Sequence, residues 1–303
     1  MKFLVAILFI MLNWHFASNR FEDKLRMFTN ASPKLNRLYV LLKAWPFKLT
    51  PIQHIFLILP LVTWLLLFQV AAVIPSSVRP SINVSFLPFF EAMLFGSPLL
   101  FEMFPPSNLL VFLAAVPYLA HFSLPFIFGA YLLYRRKQVT IFLFYFGILN
   151  LTAVLTHLSF PTAPPWYNEV YGFEPATYDV QGDPGRLRNA DLMLDFPLFQ
   201  SLYGTSPVVF GSFPSLHAGW PLLIAFYSSM IAIPLSIYLK CFYVCWIWWA
   251  AVFTKHHFLL DVLGGAFYTF IAITFVDYLK TKKTFAFLKE DDPHGKVQVP
   301  DFI

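Results

Sequence analysis

Charged residues are scarce in this sequence, and their scarcity argues against an ordinary soluble domain. Asp, Glu, Lys and Arg make up only 12% of the 303 residues, whereas 58% are hydrophobic and 19% are aromatic. A soluble domain has about 25% charged residues, because its surface must interact with water. The composition therefore predicts a chain whose main solvent is lipid.

Cysteine and the usual metal-binding spacings are also scarce or missing. Cys241 and Cys245 are the only cysteines, and they lie four residues apart within an apolar run. This spacing places both on one helix face, which argues against a disulfide. Neither CxxC nor HExxH occurs, so the sequence offers no familiar metal site. The net charge of +5 comes from Lys and Arg beside apolar runs, which fits lipid headgroups better than nucleic acid.

Apolar segments recur along most of the chain, and a membrane crossing needs about 20 such residues. Six segments stand out, of which the fifth is short: Ile52 to Ile74, Asn108 to Tyr134, Val139 to Phe160, Phe213 to Leu239, Cys241 to Thr254 and Phe258 to Leu279. They predict an all-α, polytopic membrane helix bundle with about six transmembrane helices. We assign residues 51–280 to one six-span domain and residues 281–303 to a short cytoplasmic tail.

Residues 1–50 form a separate N-terminal region. The first 17 residues contain one Lys followed by an apolar run, which is compatible with a signal sequence, a short anchor or an interfacial helix. We favour an uncleaved membrane or interfacial helix. Residues 18–50 carry seven Lys and Arg against two acidic residues, so this segment is predicted to stay cytoplasmic.

The distribution of charge between the spans predicts their orientation. Basic residues follow spans two, four and six, on the side assigned to the cytoplasm: Arg135, Arg136, Lys137, Lys240, Lys280, Lys282 and Lys283. The loop over residues 161–212 carries six acidic residues and only two Arg. This loop is therefore predicted to lie on the lumenal side.

Two polar motifs interrupt the apolar spans. The first is GSFPSLHAGW at residues 211–220, and the second is TKHHFLLDVLGG at residues 254–265. Each lies where a loop enters a predicted span. Because the chain crosses the membrane twice between them, both motifs should emerge at the same face.

The residues within these motifs suit nucleophilic chemistry on a phosphate. His257 and Asp261 are four apart, so a helix would bring the carboxylate close enough to hydrogen-bond one imidazole nitrogen and leave the other electron-rich. Ser215 would begin a helix whose free N–H groups can bind phosphate, and His217 would lie in its first turn as a proton donor. A single interfacial histidine is usually structural, but an ionisable cluster near membrane depth favours function.

These motifs resemble those of a known superfamily. Pro214-Ser215-Leu216-His217 and His257-x-x-x-Asp261 are similar to the second and third signatures of the type 2 phosphatidic acid phosphatases. More narrowly, FPTAPPWYNEVYG (160–172), SPVVFGSFPSLHAGW (206–220), YVCWIWW (243–249) and HHFLLD resemble the fungal inositol phosphorylceramide synthases. The resemblance runs from about residue 51 to residue 280.

The resemblance implies a mechanism, substrates and a location. His257 would attack phosphorus, Asp261 would orient it, and His217 would act as acid and then as base. The substrates would be phosphatidylinositol and ceramide, with no metal or organic cofactor. The expected location is a Golgi membrane with the active site facing the lumen, and a small regulatory membrane subunit is a candidate partner.

One signature of the superfamily is absent. A Lys followed after a gap by Arg-Pro is missing, and FPTAPPWY occupies its place, as in the synthase branch. Phosphate recognition is therefore assigned to backbone N–H groups and four candidate side chains: Ser215, Lys255, Arg186 and Arg188. Two alternatives to the synthase stay open, namely a lipid phosphate phosphatase using the same residues and a non-catalytic lipid-binding membrane protein.

Overall fold

The fold is a bundle of helices, as the sequence predicts. A computed structural model describes residues 51–96, 105–135 and 139–289, so predictions about residues 1–50 and the end of the tail lie outside the described residues. We number the α-helices in chain order: α1 (Pro51–Val70), α2 (Phe86–Phe95), α3 (Asn108–Tyr134), α4 (Val139–Ser159), α5 (Pro165–Tyr171), α6 (Arg188–Leu194), α7 (Leu198–Gly204), α8 (Leu216–Met230), α9 (Ile237–Phe253) and α10 (Leu259–Lys280).

Four of the six predicted spans are long and apolar enough to cross a membrane: α1, α3, α4 and α10. The predicted fourth span is broken, because α8 contains 15 residues and ends at Met230. Ala232 has a positive φ of 53° and Pro234 lacks an N–H, so the helix cannot continue through them. The chain resumes at α9, which contains 17 residues. Both helices are shorter than the roughly 20 residues of a usual crossing, and the count of six is not confirmed.

Helix α4 lies at the centre of the bundle, packed against α1, α8 and α10. Its buried face is aromatic, and Phe142 and Tyr145 pack against Tyr227 of α8. Gly147 allows α1 to approach closely, because a Cβ there would lie 2.6 Å from the backbone nitrogen of Leu61. The tight packing of α4 supplies the rigid frame for the loops at its C-terminal end.

Backbone pairing ties together the loops at that end. Thr162, just after α4, forms isolated parallel bridges with both Asn83 and Gly211. The Asn83 side chain also accepts a hydrogen bond from Phe86 N at 2.7 Å, at the beginning of α2. These contacts hold α2, the FPTAPPWY segment and the first polar motif against one another.

Candidate active site

The two polar motifs meet at one end of the bundle. Ser215 is the N-cap of α8, since its hydroxyl accepts a hydrogen bond from Ala218 N at 3.3 Å, and this places His217 in the first turn. His257 lies two residues before the beginning of α10. Ser215 N donates to Asp261 O at 3.0 Å, which joins the two helix beginnings directly. The structure thus brings the two motifs together at one end of the bundle.

Two glycines of the second motif make this close approach possible. A Cβ on Gly265 would lie 2.1 Å from the carbonyl oxygen of Ser215, and one on Gly264 would lie 2.2 Å from the ring of Phe213. Real Cβ atoms do not come so near to other atoms, so both positions require glycine. The GG pair therefore sets the distance between α8 and α10 at the site.

Replacing Gly265 with alanine should separate the two motifs. Overpacking of this kind costs about 1–3 kcal/mol, and we expect a lower thermal unfolding temperature in detergent. A shift of about 1 Å between catalytic groups can cost about 100-fold in rate, so turnover should fall by a similar factor. Gly129→Ala is the matched control, because a Cβ there meets nothing nearer than 3.7 Å. If both variants lost the same amount of turnover and of unfolding temperature, Gly265 would not be needed for the close approach of the two motifs.

The catalytic candidates lie on the wall of one cavity. The rings of His217 and His257 have centroids 5.3 Å apart. The cavity has a volume of about 370 Å³, and most of its lining is apolar or aromatic, including Trp64 and Trp220. Five histidines contribute to the wall: His121, His157, His217, His256 and His257. A pair of imidazoles in an apolar cavity can supply both a nucleophile and an acid.

Hydrogen bonds fix the His257 ring through an intermediate residue. His257 Nδ1 donates to the carbonyl oxygen of Ser212 at 3.0 Å. Asp261 Oδ2 lies 3.6 Å from Nδ1, so the hydrogen bond expected between these two residues goes to Ser212 instead. Asp261 Oδ2 accepts from the Ser212 hydroxyl at 2.6 Å and from Phe258 N at 2.8 Å. Asp261 thus acts on His257 through Ser212, and Nε2 of His257 keeps its lone pair for attack.

An aromatic column holds His217. Its ring stacks on Tyr118, with centroids 4.3 Å apart and planes 16° apart, and lies 4.7 Å from the ring of His121. The column continues from Tyr118 to His256, and then to Tyr203 at 4.1 Å. These close ring contacts fix the orientation of the His217 imidazole.

The two other cavity histidines have structural partners. His157 Nε2 donates to the carbonyl oxygen of Pro214 at 3.0 Å, which ties α4 to the first motif. His256 Nε2 donates to Asp183 O at 3.2 Å, and its Nδ1 lies 3.2 Å from the Thr254 hydroxyl. Burial, with a smaller effect from the adjacent His257, lowers the pKa of His256 to about 3. His256 is therefore neutral and bridges the loop of residues 161–212 to the second motif.

The lowered pKa of His256 predicts a loss of stability in acid. An unfolded histidine takes up a proton near pH 6.5, whereas folded His256 takes one up only near pH 3. Lowering the pH from 7 to 5 should therefore reduce the free energy of unfolding by about 2 kcal/mol. In detergent, the unfolding temperature should fall less between pH 7 and pH 5 for His256→Asn than for the native chain. An equal fall in the unfolding temperature of the two proteins would contradict the prediction.

The four candidate phosphate ligands are not among the residues that line the cavity. Lys255 pairs with Glu169, and Arg188 pairs with Asp183. Arg186 holds its guanidinium 4.8 Å from the ring centroid of Phe253. The fourth, Ser215, is fully buried as the N-cap of α8. Their role as phosphate ligands stays a prediction, and the cavity wall itself carries no Lys or Arg of the described residues.

Several residues of the site were not identified from the sequence. Ser212 lies inside the first motif, but a serine that acts through both its carbonyl and its hydroxyl has no distinctive pattern. Tyr118 and Tyr203 come from α3 and α7, far from both motifs in the chain. No local spacing indicates such contacts, because they depend on how separate helices pack.

Comparison with known proteins identifies the superfamily. The family model described as the PAP2 superfamily matches residues 87–275. The inositol phosphorylceramide synthase catalytic subunit of Schizosaccharomyces pombe is 38% identical over 234 residues, covering 75% of this chain and 55% of the relative. The corresponding Saccharomyces cerevisiae subunit is 34% identical over 230 residues, covering 75% and 57%.

A bacterial protein is also similar. The phosphoinositol dihydroceramide synthase of Bacteroides thetaiotaomicron is 31% identical over 176 residues, covering 54% of this chain and 55% of the relative. This chain thus spans about half the length of the curated relatives it matches. No solved structure matches it. Because the superfamily match includes α2, both histidine motifs and most of α10, and extends over more than half of the residues, the chain belongs to the PAP2 superfamily.

Proposed function

We propose that this chain transfers inositol phosphate from phosphatidylinositol to the primary hydroxyl of ceramide. The observation that carries the proposal is the pair of imidazoles, 5.3 Å apart, on the wall of one largely apolar cavity. The similarity to proteins named inositol phosphorylceramide synthases supports the choice of substrates. The products are inositol phosphorylceramide and diacylglycerol.

The first step forms a phosphohistidine. Nε2 of His257 attacks the phosphorus of phosphatidylinositol, and the bond from phosphorus to the diacylglycerol oxygen breaks. Protonated His217 gives its proton to that oxygen, so diacylglycerol leaves as a neutral alcohol. The hydrogen bond from His257 Nδ1 to Ser212 O supports the positive charge that develops on the imidazole.

The second step transfers the group to ceramide. Neutral His217 takes the proton from the primary hydroxyl of ceramide, and the hydroxyl oxygen attacks the phosphorus. The bond from phosphorus to Nε2 breaks, which restores His257 with its lone pair and leaves His217 protonated. The cycle needs neither a reductant nor an oxidant, because only protons and one phosphoryl group move.

The charge of the cavity wall favours this reaction over a phosphatase. A phosphomonoester carries close to two negative charges at neutral pH, and a phosphodiester carries one. The part of the chain that the structure describes places no Lys or Arg on the wall. A phosphodiester such as phosphatidylinositol brings a single negative charge to this wall, whereas a monoester would bring nearly two and would need a cation that the wall does not supply.

We further propose that the protein lies in a Golgi membrane with the site facing the lumen. Its apolar helices and its relatives identify it as an integral membrane protein. The basic residues Arg135, Lys240 and Lys280 lie at helix ends remote from the two motifs. Positive charge collects on the cytoplasmic side of membrane proteins, which supports the opposite location for the site.

A small regulatory membrane subunit is part of the proposal. Two of the relatives are named as catalytic subunits. Affinity purification of the tagged chain from membranes of its own host should therefore recover a small membrane protein in a fixed ratio. Recovery of the chain alone, with full activity, would contradict the need for this partner.

The experiment that tests the function measures lipid transfer by purified protein in detergent. The donors are phosphatidylinositol, phosphatidylcholine, phosphatidylethanolamine and the monoester phosphatidic acid, each with ceramide or with no added acceptor, and His257→Ala is the control. Formation of inositol phosphorylceramide by the native protein alone would support the proposal. Release of phosphate without transfer would favour a phosphatase, and no turnover with any added partner would favour a non-catalytic lipid-binding protein.

A further inference from the structure

Glu91 is a buried carboxylate that the proposed reaction does not use. It lies in α2, and none of its surface is exposed. Its Oε2 accepts a hydrogen bond from Leu260 N at 3.0 Å, across 169 residues of chain. Its Oε1 is also buried and has no hydrogen-bond partner among the described residues. Burying a carboxylate is costly, so this one needs a compensating role.

The partner of Glu91 is the first turn of α10. The first backbone N–H groups of a helix have no acceptor within the helix, and a side chain at the N-cap usually supplies one. The N-cap of α10 is Phe258, whose side chain cannot accept a hydrogen bond. Asp261 accepts from Phe258 N, and Glu91 accepts from Leu260 N. Glu91 thus supplies, from another helix, the hydrogen-bond acceptor that the Phe258 side chain lacks.

The turn that Glu91 holds also carries the groups that orient His257. Asp261 follows Leu260 directly, and its Oδ2 accepts from the Ser212 hydroxyl at 2.6 Å. The carbonyl oxygen of Ser212 in turn accepts from His257 Nδ1 at 3.0 Å. We propose that Glu91 is a positioning residue, which fixes the first turn of α10 so that Asp261 and Ser212 hold His257 ready for attack.

Two further observations support this role. Glu91 is not among the cavity-lining residues, so it acts without touching substrate. Its helix, α2, is itself held against the site by Asn83, whose side chain caps α2 and whose backbone pairs with Thr162. Glu91 therefore acts on α10 from a fixed position.

This inference rests on the proposed chemistry at His257, and its test uses two variants of Glu91. Glu91→Gln keeps an oxygen that can accept from Leu260 N, whereas Glu91→Leu removes it. We expect kcat to fall about 10- to 100-fold in the leucine variant with KM for phosphatidylinositol nearly unchanged. The glutamine variant should stay within about threefold of the native kcat, because it keeps the acceptor.

The matched control is Leu57→Ala, a buried core substitution two turns before the cavity-lining Trp64 of α1. It should lower the unfolding temperature and keep kcat, which distinguishes loss of stability from loss of positioning. A normal kcat in Glu91→Leu, or an equal loss in Leu57→Ala at similar stability, would overturn the proposal.

Hydrogen–deuterium exchange provides a readout that needs no substrate. Amides in the peptide carrying residues 258–262 should exchange about tenfold faster in Glu91→Leu and at the native rate in Glu91→Gln. Unchanged exchange in the leucine variant would overturn the positioning role, whatever the protein transfers. Faster exchange in a protein that transfers no inositol phosphate would overturn only the assigned substrates.

Discussion

Replacing His257 with alanine should abolish lipid transfer, with turnover lower by about 10⁴-fold or more. Removal of a nucleophile has effects of this size, because the covalent route is lost. His257 is buried and hydrogen-bonded to Ser212 O, and its ring centroid lies 5.3 Å from that of His217. The measurement is the initial rate of ceramide-dependent transfer from labelled phosphatidylinositol.

The adjacent histidine is the matched control. His256→Asn removes an imidazole that is equally buried, but its hydrogen bonds go to Asp183 and Thr254. We expect that variant to lose far less activity than His257→Ala. Without ceramide, the native protein should release one equivalent of diacylglycerol and retain label on histidine, and His257→Ala should do neither. Label retained on His257→Ala would contradict the assignment of the nucleophile.

Replacing His217 with asparagine should lower transfer by about 10²- to 10⁴-fold, the usual contribution of a general acid and base. Asparagine is similar in size and can keep the stacking position beside Tyr118, so the loss should come from proton transfer. A phosphoinositol ester of nitrophenol distinguishes loss of proton transfer from loss of structure, because nitrophenolate leaves without being protonated.

With the nitrophenyl ester, release of nitrophenol by His217→Asn should be at least about tenfold less impaired than transfer from phosphatidylinositol. The control is His257→Ala, which should fail with both substrates because it lacks the nucleophile. If His217→Asn lost the same factor with both substrates, His217 would be a structural residue and not the acid.

The proximity of the two motifs could be predicted because it depends on simple rules. Each motif leads into a helix, and the chain leaves along α8 and returns along α9, so both motifs reach the same end of the bundle. The structure brings His217 and His257 together as these rules require. The direct hydrogen bond predicted between Asp261 and His257 was wrong, because the carbonyl oxygen of Ser212, from the other motif, accepts from His257 instead.

Contacts between distant segments could not be read from the sequence. Glu91 and Leu260 are 169 residues apart, and nothing in FLPFFEAMLF identifies its only acid as a partner of α10. The break between α8 and α9 was also missed, although Pro234 lies there. Membrane helices often tolerate internal proline, and only the positive φ of Ala232 shows that the helix ends.

The aromatic column has a consequence for the order in which lipids come and go. Because the His217 ring stacks on Tyr118 and has His121 only 4.7 Å away, it has little room to swing between two separate alcohols. The outgoing and incoming hydroxyls must therefore occupy the same place beside it, one after the other. In the proposed reaction diacylglycerol therefore leaves the cavity before ceramide enters, so added diacylglycerol should compete with ceramide and the exchange should follow a ping-pong course.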